Sequence, residues 1–416
     1  MRILKLKPQT EKWLLARRAR QDFEAHTIAA EIVEDVRKHG DAALFAYTKK
    51  FDNTDLAKTG VWIEEKEIRA ARKATSVKFR KAIEKAAENV GNVSEKQLPR
   101  PWTVETTAGV KIHQLVRPIE AIGCYIPGGR FSLVSTLVMT VVPAQVASVP
   151  NIVAVCPKPN PKLMAAAGIL GITRIARIGG AQGIAALAYG TKSVPRVDKV
   201  FGPGNKYVTA AKQIVSKDCA IDLPAGPTET VVFAEQGNAR WIAADLLAQA
   251  EHAKDAASFF VTTSRTLASE VQHEVRKQLA RMPNSMAHCS TQVSGAILLA
   301  ESADHACDFV NHFAPEHLSL PEGGGKLLPR IRASGTVFLG PWAAQPLGDY
   351  ATGSNHVLPT GGWARMRGGL SAADFVKCIN VQTISNRGFL QLAEAVESLA
   401  ESEGLMAHRN AVRVRR

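Results

Sequence analysis

The chain has 416 residues, is 46% hydrophobic and 22% charged, and carries a formal net charge of +14. That length accommodates several domains and at least one large core, and the composition excludes a disordered or low-complexity chain. The basic surplus, gathered partly in MRILKLK and RNAVRVRR, suits anionic small molecules such as nucleotides; without an RNA-recognition signature, zinc-finger spacing or aromatic–basic interleaving, it does not argue for nucleic acid.

Residues 10–100 are predicted to be helical. TIAAEIVEDVRKHGDAALFAYTKKF has apolar residues at three- and four-residue spacing, with breaks at Gly40 and Asp52-Asn53. VWIEEKEIRAARKA and VKFRKAIEKAAENVGNVSEKQ predict two further helices. From Phe131 to Pro157 no residue is charged. Pro143, Pro150 and several polar residues interrupt the run, so it reads as a buried helix, SLVSTLVMTVVPAQVASV, and a buried strand, NIVAVCP, and not as a membrane span. Beyond Val116, apolar runs such as IEAIGCYIP, RIARIG and VDKVFGPG alternate with helical patterns. A second alternating series begins at ETVVFAE. This alternation predicts parallel sheets with helices on their faces. Pro341 to Gly369 reads as a loop about thirty residues long, the kind that is usually functional or disordered. The tail from about Ser371 reads as mostly helical.

Six scattered cysteines, with no CxxC pair and no secretory h-region, predict reduced thiols and a cytoplasmic protein.

Three stretches could carry chemistry. YIPGG (Tyr125 to Gly129) and FGPGNKY (Phe201 to Tyr207) each follow a strand and precede a helix, where phosphates meet helix N-termini. Neither is a GxGxxG or P-loop motif, so a nucleotide site and an ordinary turn both remain open. QAEH places Gln249 and His252 on one helical face, although histidines also favour helix ends for dipole reasons. Asp349 and His356 lie in GDYATGSNH and His408 in EGLMAH; these are zinc-type donors, but far apart in the chain. In FAPEHL, Glu316 and His317 could form an acid–base pair. Adjacent strand residues point to opposite faces, however, and by itself the pair favours a structural role.

Taken in order, YIPGG, GGAQGIAALAYGT, GPGNKYV, AGPTE, DLLAQAEH, NHFAPEHL, LGDY, GSNHVLPT, GGLSAADF and EGLMAH make the chain resemble the histidinol dehydrogenases over nearly its whole length. The resemblance implies an α/β fold of two incomplete Rossmann-like domains with parallel sheets, a helical N-terminal segment and a C-terminal tail, in an intertwined homodimer. It divides the chain into an arm (1–20), a first domain with zinc and catalytic residues (21–123 plus 230–369), a second with NAD contacts (124–229) and a tail (370–416) completing the partner's active site. The implied activity is zinc-dependent, four-electron oxidation of L-histidinol to L-histidine through histidinal, reducing two NAD+ in the last steps of histidine biosynthesis. The implied zinc ligands are Gln249, His252, Asp349 and, across the dimer, His408. Glu316 and His317 match the catalytic pair. Thr228, His356 and Glu403, together with Gln249, His252, His317, Asp349 and His408, match substrate contacts, and Tyr125, Gln182 and Asn205 match NAD contacts. No nucleic acid or membrane partner is implied.

The sequence departs from the family pattern at Thr228, usually serine, and in GGWARMRGG, where Arg365, Met366 and Arg367 replace smaller polar residues; Trp363 and Arg367 bear on substrate fit. Arg365 and Arg367 would suit an anion. The alternative is therefore a related zinc- and NAD-dependent dehydrogenase of another alcohol, such as a sulfopropanediol, although Glu403 beside the substrate favours an ammonium group. A non-enzymatic binder using the basic termini is a third reading, opposed by the full set of zinc-type donors.

Overall fold

The computed structural model describes residues 1–18, 23–128, 133–224 and 226–416. Gly129 of YIPGG, Ala225 of AGPTE and the first residue of the predicted SLVSTL helix lie outside them.

The strands are β1 (Arg2–Lys5), β2 (Trp102–Thr107), β3 (Val110–Pro118), β4 (Ala121–Tyr125), β5 (Asn151–Val155), β6 (Ile175–Ala176), β7 (Lys199–Phe201), β8 (Ala220–Ile221), β9 (Glu229–Phe233), β10 (Ala257–Thr262), β11 (Gly295–Leu299), β12 (His317–Leu320), β13 (Thr336–Leu339) and β14 (Val376–Ile384). Two sheets are parallel throughout: β1-β11-β10-β9-β12-β13 and β6-β5-β4-β7-β8. Their central strands, GCY, VVF and FFV among them, are buried on both faces, which explains why they read as unbroken apolar runs. The predicted helix and strand of the uncharged stretch are Val134–Val146 and β5. Among the described residues, no helix is long and apolar enough to cross a membrane.

Three sequence-based expectations are corrected. The helices between Phe23 and Gln97 pack on the five-stranded sheet, not with the six-stranded one: Ala29, Ile32, Val33 and Leu44 share a core with Val153, Val155 and Leu187, and Ile68, Ile83 and Val90 share one with Ile122 and Val138. The first-domain assignment of 21–123 therefore does not describe the packing, and β4 begins the five-stranded sheet inside it. A helical apolar stripe states that a helix is covered, not which sheet covers it. The arm supplies β1, which pairs with β11. The tail is helical over Asn386–Ser402 and Met406–Arg413, but it opens on an unforeseen strand: β14 pairs with β3 along nine residues in an antiparallel sheet with β2. Finally, the long loop contains a short helix, Gln345–Tyr350.

Each parallel sheet reverses its strand order once, between β4 and β7 and between β9 and β12. Ligands in such sheets usually bind at the carboxyl ends of strands where the order reverses. In the five-stranded sheet that point lies between Tyr125 and Phe201, where YIPG and FGPGN begin. In the six-stranded sheet a cavity of about 10 Å³ at the carboxyl ends of β12 and β13 is lined by Ser319, Pro321, Gly340 and Asp245. The buried Glu229, Gln249, Glu316 and His317 gather at the opposite, amino-terminal edge.

Candidate active site

FAPEHL enters that edge. The helix Ala303–Phe313 ends at Ala314, which takes the left-handed conformation (φ 48) and returns its N–H to Val310 O at 2.7 Å. Pro315 then redirects the chain. Glu316 precedes β12, yet its carbonyl already accepts from Thr336 N–H at 3.0 Å. Gly335 makes this possible: a Cβ there would lie 2.5 Å from Glu316 O. His317 is the first residue of β12, opposite Thr230 and Thr336. With Glu316 at this irregular start, the alternation rule does not separate the pair. Glu316 Oε2 lies 3.7 Å from His317 Nδ1, and both residues are buried.

Three donors converge on that oxygen. Glu316 Oε2 accepts from Glu229 N–H at 2.9 Å and Gln249 Nε2 at 3.4 Å, and from the Thr228 hydroxyl. Among the described residues no hydrogen bond engages Oε1. Thr228 also accepts from Gln249 Nε2. The hydroxyl that threonine shares with serine therefore joins Glu316 to Gln249. With its NH₂ committed, the fully buried Gln249 presents its carbonyl oxygen, which receives Gln345 Nε2.

His252 lies just past the end of the helix Ala239–Ala250, exposed, with its N–H 3.2 Å from Gln249 O. Its Nδ1 is 3.1 Å from Ala248 O. A carbonyl can only accept, so Nδ1 is the donor there and Nε2 is the nitrogen left for another partner. Asp349, on the helix Gln345–Tyr350, places Oδ1 3.4 Å from His317 Nε2. Neither His317 nitrogen has a well-formed hydrogen bond. Burial opposes charge on His317, but the Glu316 and Asp349 carboxylates outweigh it and raise its pKa above the ordinary value. Burial raises Asp349, and the contact with His317 together with the fields of His317, His356 and His252 pulls it to a net lowering.

His356 donates from Nδ1 to Asp349 O at 2.9 Å, and its Nε2 lies 3.3 Å from the Thr136 hydroxyl. Burial holds its pKa below the usual value. Thr136 belongs to the helix that follows the YIPG loop, so this contact sets the carboxyl edge of the five-stranded sheet against the amino edge of the six-stranded one. Gly353 pins the same segment: its φ is +97, and a Cβ would lie 2.4 Å from Asn89 O.

The histidinol dehydrogenase family profile matches residues 15–416. The chain belongs to the histidinol dehydrogenase family. The histidinol dehydrogenase of Methanosarcina mazei is 44% identical over 94% of this chain and 91% of its own length. That of Aquifex aeolicus is 42% identical over 93% and 91%. The crystal structure of the Elizabethkingia anophelis histidinol dehydrogenase superposes with a TM-score of 0.94 at 37% identity, covering 100% of this chain and 98% of that one.

Within this histidinol dehydrogenase family member, the remaining predicted residues lie apart from the Glu316 cluster. His408 is exposed on the helix Met406–Arg413 and Glu403 is exposed at the end of Asn386–Ser402; these helices pack on each other, and Asn386–Ser402 also packs on β14. Among the described residues, no three His, Cys, Asp or Glu side chains of a single chain form a metal cluster. Tyr125 is buried, and its hydroxyl accepts from Gly180 N–H at 3.2 Å. Gln182, also buried, donates to Asp52 Oδ2 at 3.2 Å. Asn205 is exposed and caps the helix Lys206–Val215, its Oδ1 accepting from Tyr207 and Val208 N–H at 3.0 and 3.1 Å. The arginines that suggested an anionic substrate are engaged elsewhere. Arg365 donates to His312 O at 3.2 Å, and Arg367 grips Asp374 at 3.1 and 3.2 Å and reaches Asp222 O.

Sequence reading missed Gln345, Thr136 and Asp245. Gln345 precedes Asp349 by one helical turn, and reading QPLGDY as a helix would have paired them. Asp245 accepts from Gln345 N–H, and burial pushes its pKa up to about 6; it docks the helix carrying Asp349 onto the one carrying Gln249. Nothing in the sequence pairs Thr136 with His356.

Proposed function

We propose that this chain oxidises L-histidinol to L-histidine through histidinal, reducing two NAD+, with zinc held by Gln249, His252, Asp349 and His408 of the partner subunit. The observation that carries this reading is the convergence of Glu316 Oε1, an unbonded His317 ring and the Gln249 carbonyl oxygen at one buried edge. The donors fit zinc: an amide oxygen oriented by Thr228 and Glu316, an imidazole Nε2 whose Nδ1 is fixed by a backbone carbonyl, and a carboxylate. The fourth donor requires a second copy of the chain. Exposed Ile384, Leu390, Leu399 and Met406 on the tail suit such a contact.

When bound, the zinc would orient the substrate's donor groups and polarise its oxygen, and NAD+ would take the electron pair of each oxidation. His317 accepts the hydroxyl proton in the alcohol step, and the two flanking carboxylates stabilise the resulting imidazolium. Glu316 Oε1 takes a proton from the water that adds to the aldehyde. His317, having released its first proton, accepts another as the hydrated aldehyde becomes the acid. Closure of the site between two copies would keep the aldehyde from escaping. Tyr125, Gln182 and Asn205 belong to the NAD+ side, at the β4/β7 reversal. The engagement of Arg365 and Arg367 removes the support for a sulfonated substrate.

Steady-state NADH formation from L-histidinol tests the reading. Two NADH per histidinol, lost on chelation and restored by zinc, is the expected result. One NADH per substrate, or activity indifferent to chelation, contradicts it.

A further inference from the structure

This mechanism leaves one buried charged pair without a task. Lys212 is 1% and Asp222 4% exposed, and Lys212 Nζ bonds Asp222 Oδ1. Both hold the same glycine: Lys212 Nζ donates to Gly202 O at 2.9 Å, and Asp222 Oδ2 accepts from Gly202 N–H at 2.7 Å. Asp222 Oδ1 also accepts from Leu223 N–H at 2.6 Å. Gly202 needs this grip and no side chain. Its φ is +113, and a Cβ would lie 2.1 Å from Tyr125 O. The clamp thus seats FGPGN directly against the end of β4, and three residues later Asn205 starts its helix. From outside, Arg367 bonds Asp222 O while gripping Asp374.

Replacing a buried ion pair by apolar residues is often neutral or stabilising, so stability alone is a weak reason for this one. What an apolar pair cannot do is hold both polar groups of one peptide segment. From this, resting on the reading of Tyr125 and Asn205 as NAD+ contacts, we infer that Lys212 is a positioning residue for the dinucleotide: the Lys212–Asp222 pair fixes the FGPGN loop so that both contacts stand at the spacing NAD+ requires. It touches neither cofactor nor substrate.

The test uses the zinc-loaded full-length protein. Lys212→Met removes the charge and leaves Asp222 unpaired, which can impair folding; Lys212→Met combined with Asp222→Asn leaves no buried charge and is the deciding variant. NAD+ and L-histidinol affinities are measured by calorimetry, alongside KM for each and kcat. The expected result is a rise of at least about tenfold in Kd and KM for NAD+, with histidinol affinity, zinc content and kcat at saturating NAD+ within about twofold of the parent. Lys212→Arg should restore part of the NAD+ affinity by returning a donor to Gly202. A folded double variant with unchanged NAD+ affinity overturns the inference, as does equal loss of NAD+ and histidinol affinity. Asn205→Ala separates the two claims. If it weakens NAD+ while the double variant does not, the clamp is wrong; if neither does, the reading of this loop as the NAD+ contact is wrong.

Discussion

Replacing Glu316 by Gln removes a charge while keeping the shape. With the amide oxygen in the place of Oε2, it still accepts from Thr228, Glu229 and Gln249, and the amide nitrogen takes the place of Oε1. The fold is retained and the base is lost. A positioned general base contributes about 10²–10⁴ in rate, and the water-activation step should lose that much. The alcohol step suffers only indirectly. Glu316 Oε2 stands 3.7 Å from His317 Nδ1, worth ~4 kcal/mol at an effective dielectric of about 20, and Asp349 at 3.4 Å retains part of the stabilisation. Removing the Glu316 charge therefore lowers His317 basicity, and the alcohol step falls by less than the aldehyde step. Single-turnover oxidation of histidinol and of histidinal, each with excess NAD+, measures the steps separately. The aldehyde step should fall at least tenfold further than the alcohol step. Equal losses would refute the assignment of Glu316 as the water base and leave it only an electrostatic partner of His317.

Further outcomes follow from the same geometry. If His408 acts across the dimer, mixing the inactive variants His408→Ala and His317→Ala, with subunit exchange, should restore about a quarter of the parent activity, because half the dimers carry one intact site; a site built within one chain would restore none. Thr228→Ser keeps the hydroxyl joining Glu316 and Gln249 and should stay within a few-fold of parent activity, whereas Thr228→Val should cost about 1–3 kcal/mol in urea unfolding and most of the activity. Asp245 rises from 3.8 to about 6 through burial. The native state therefore binds the extra proton, and the stability this gives is full below pH 3.8 and lost as pH rises through 6. Asp245→Asn, which keeps the acceptor for Gln345 N–H, should raise stability at pH 8 by at most ~3 kcal/mol and leave it unchanged at pH 3.5. Equal thermal shifts at both pH values would contradict the burial argument.

The sequence by itself determined the α/β class, because doubly buried parallel strands must be apolar throughout and the helices between them amphipathic. It also determined the family, through motifs whose order over the whole chain is far more specific than any one of them. Residue types further narrowed the chemistry, since the family motifs carry imidazole, carboxylate and amide donors. The tertiary structure decided where those groups meet. Glu316 and His317 share a site because a left-handed Ala314, Pro315 and the close approach of Gly335 delay the start of β12 by one residue. The site lies at the amino edge of its sheet, where Thr228 and Glu229 open β9, and not at the carboxyl edge that strand order alone suggests. Gln249 and Asp349, a hundred residues apart in the chain, are joined through Gln345 on a six-residue helix too short for hydrophobic periodicity to reveal. The N-terminal helices showed the same limit: their apolar stripes were plain in the sequence, but which sheet they cover depends on shape complementarity between surfaces distant in the chain, and local periodicity carries no record of that.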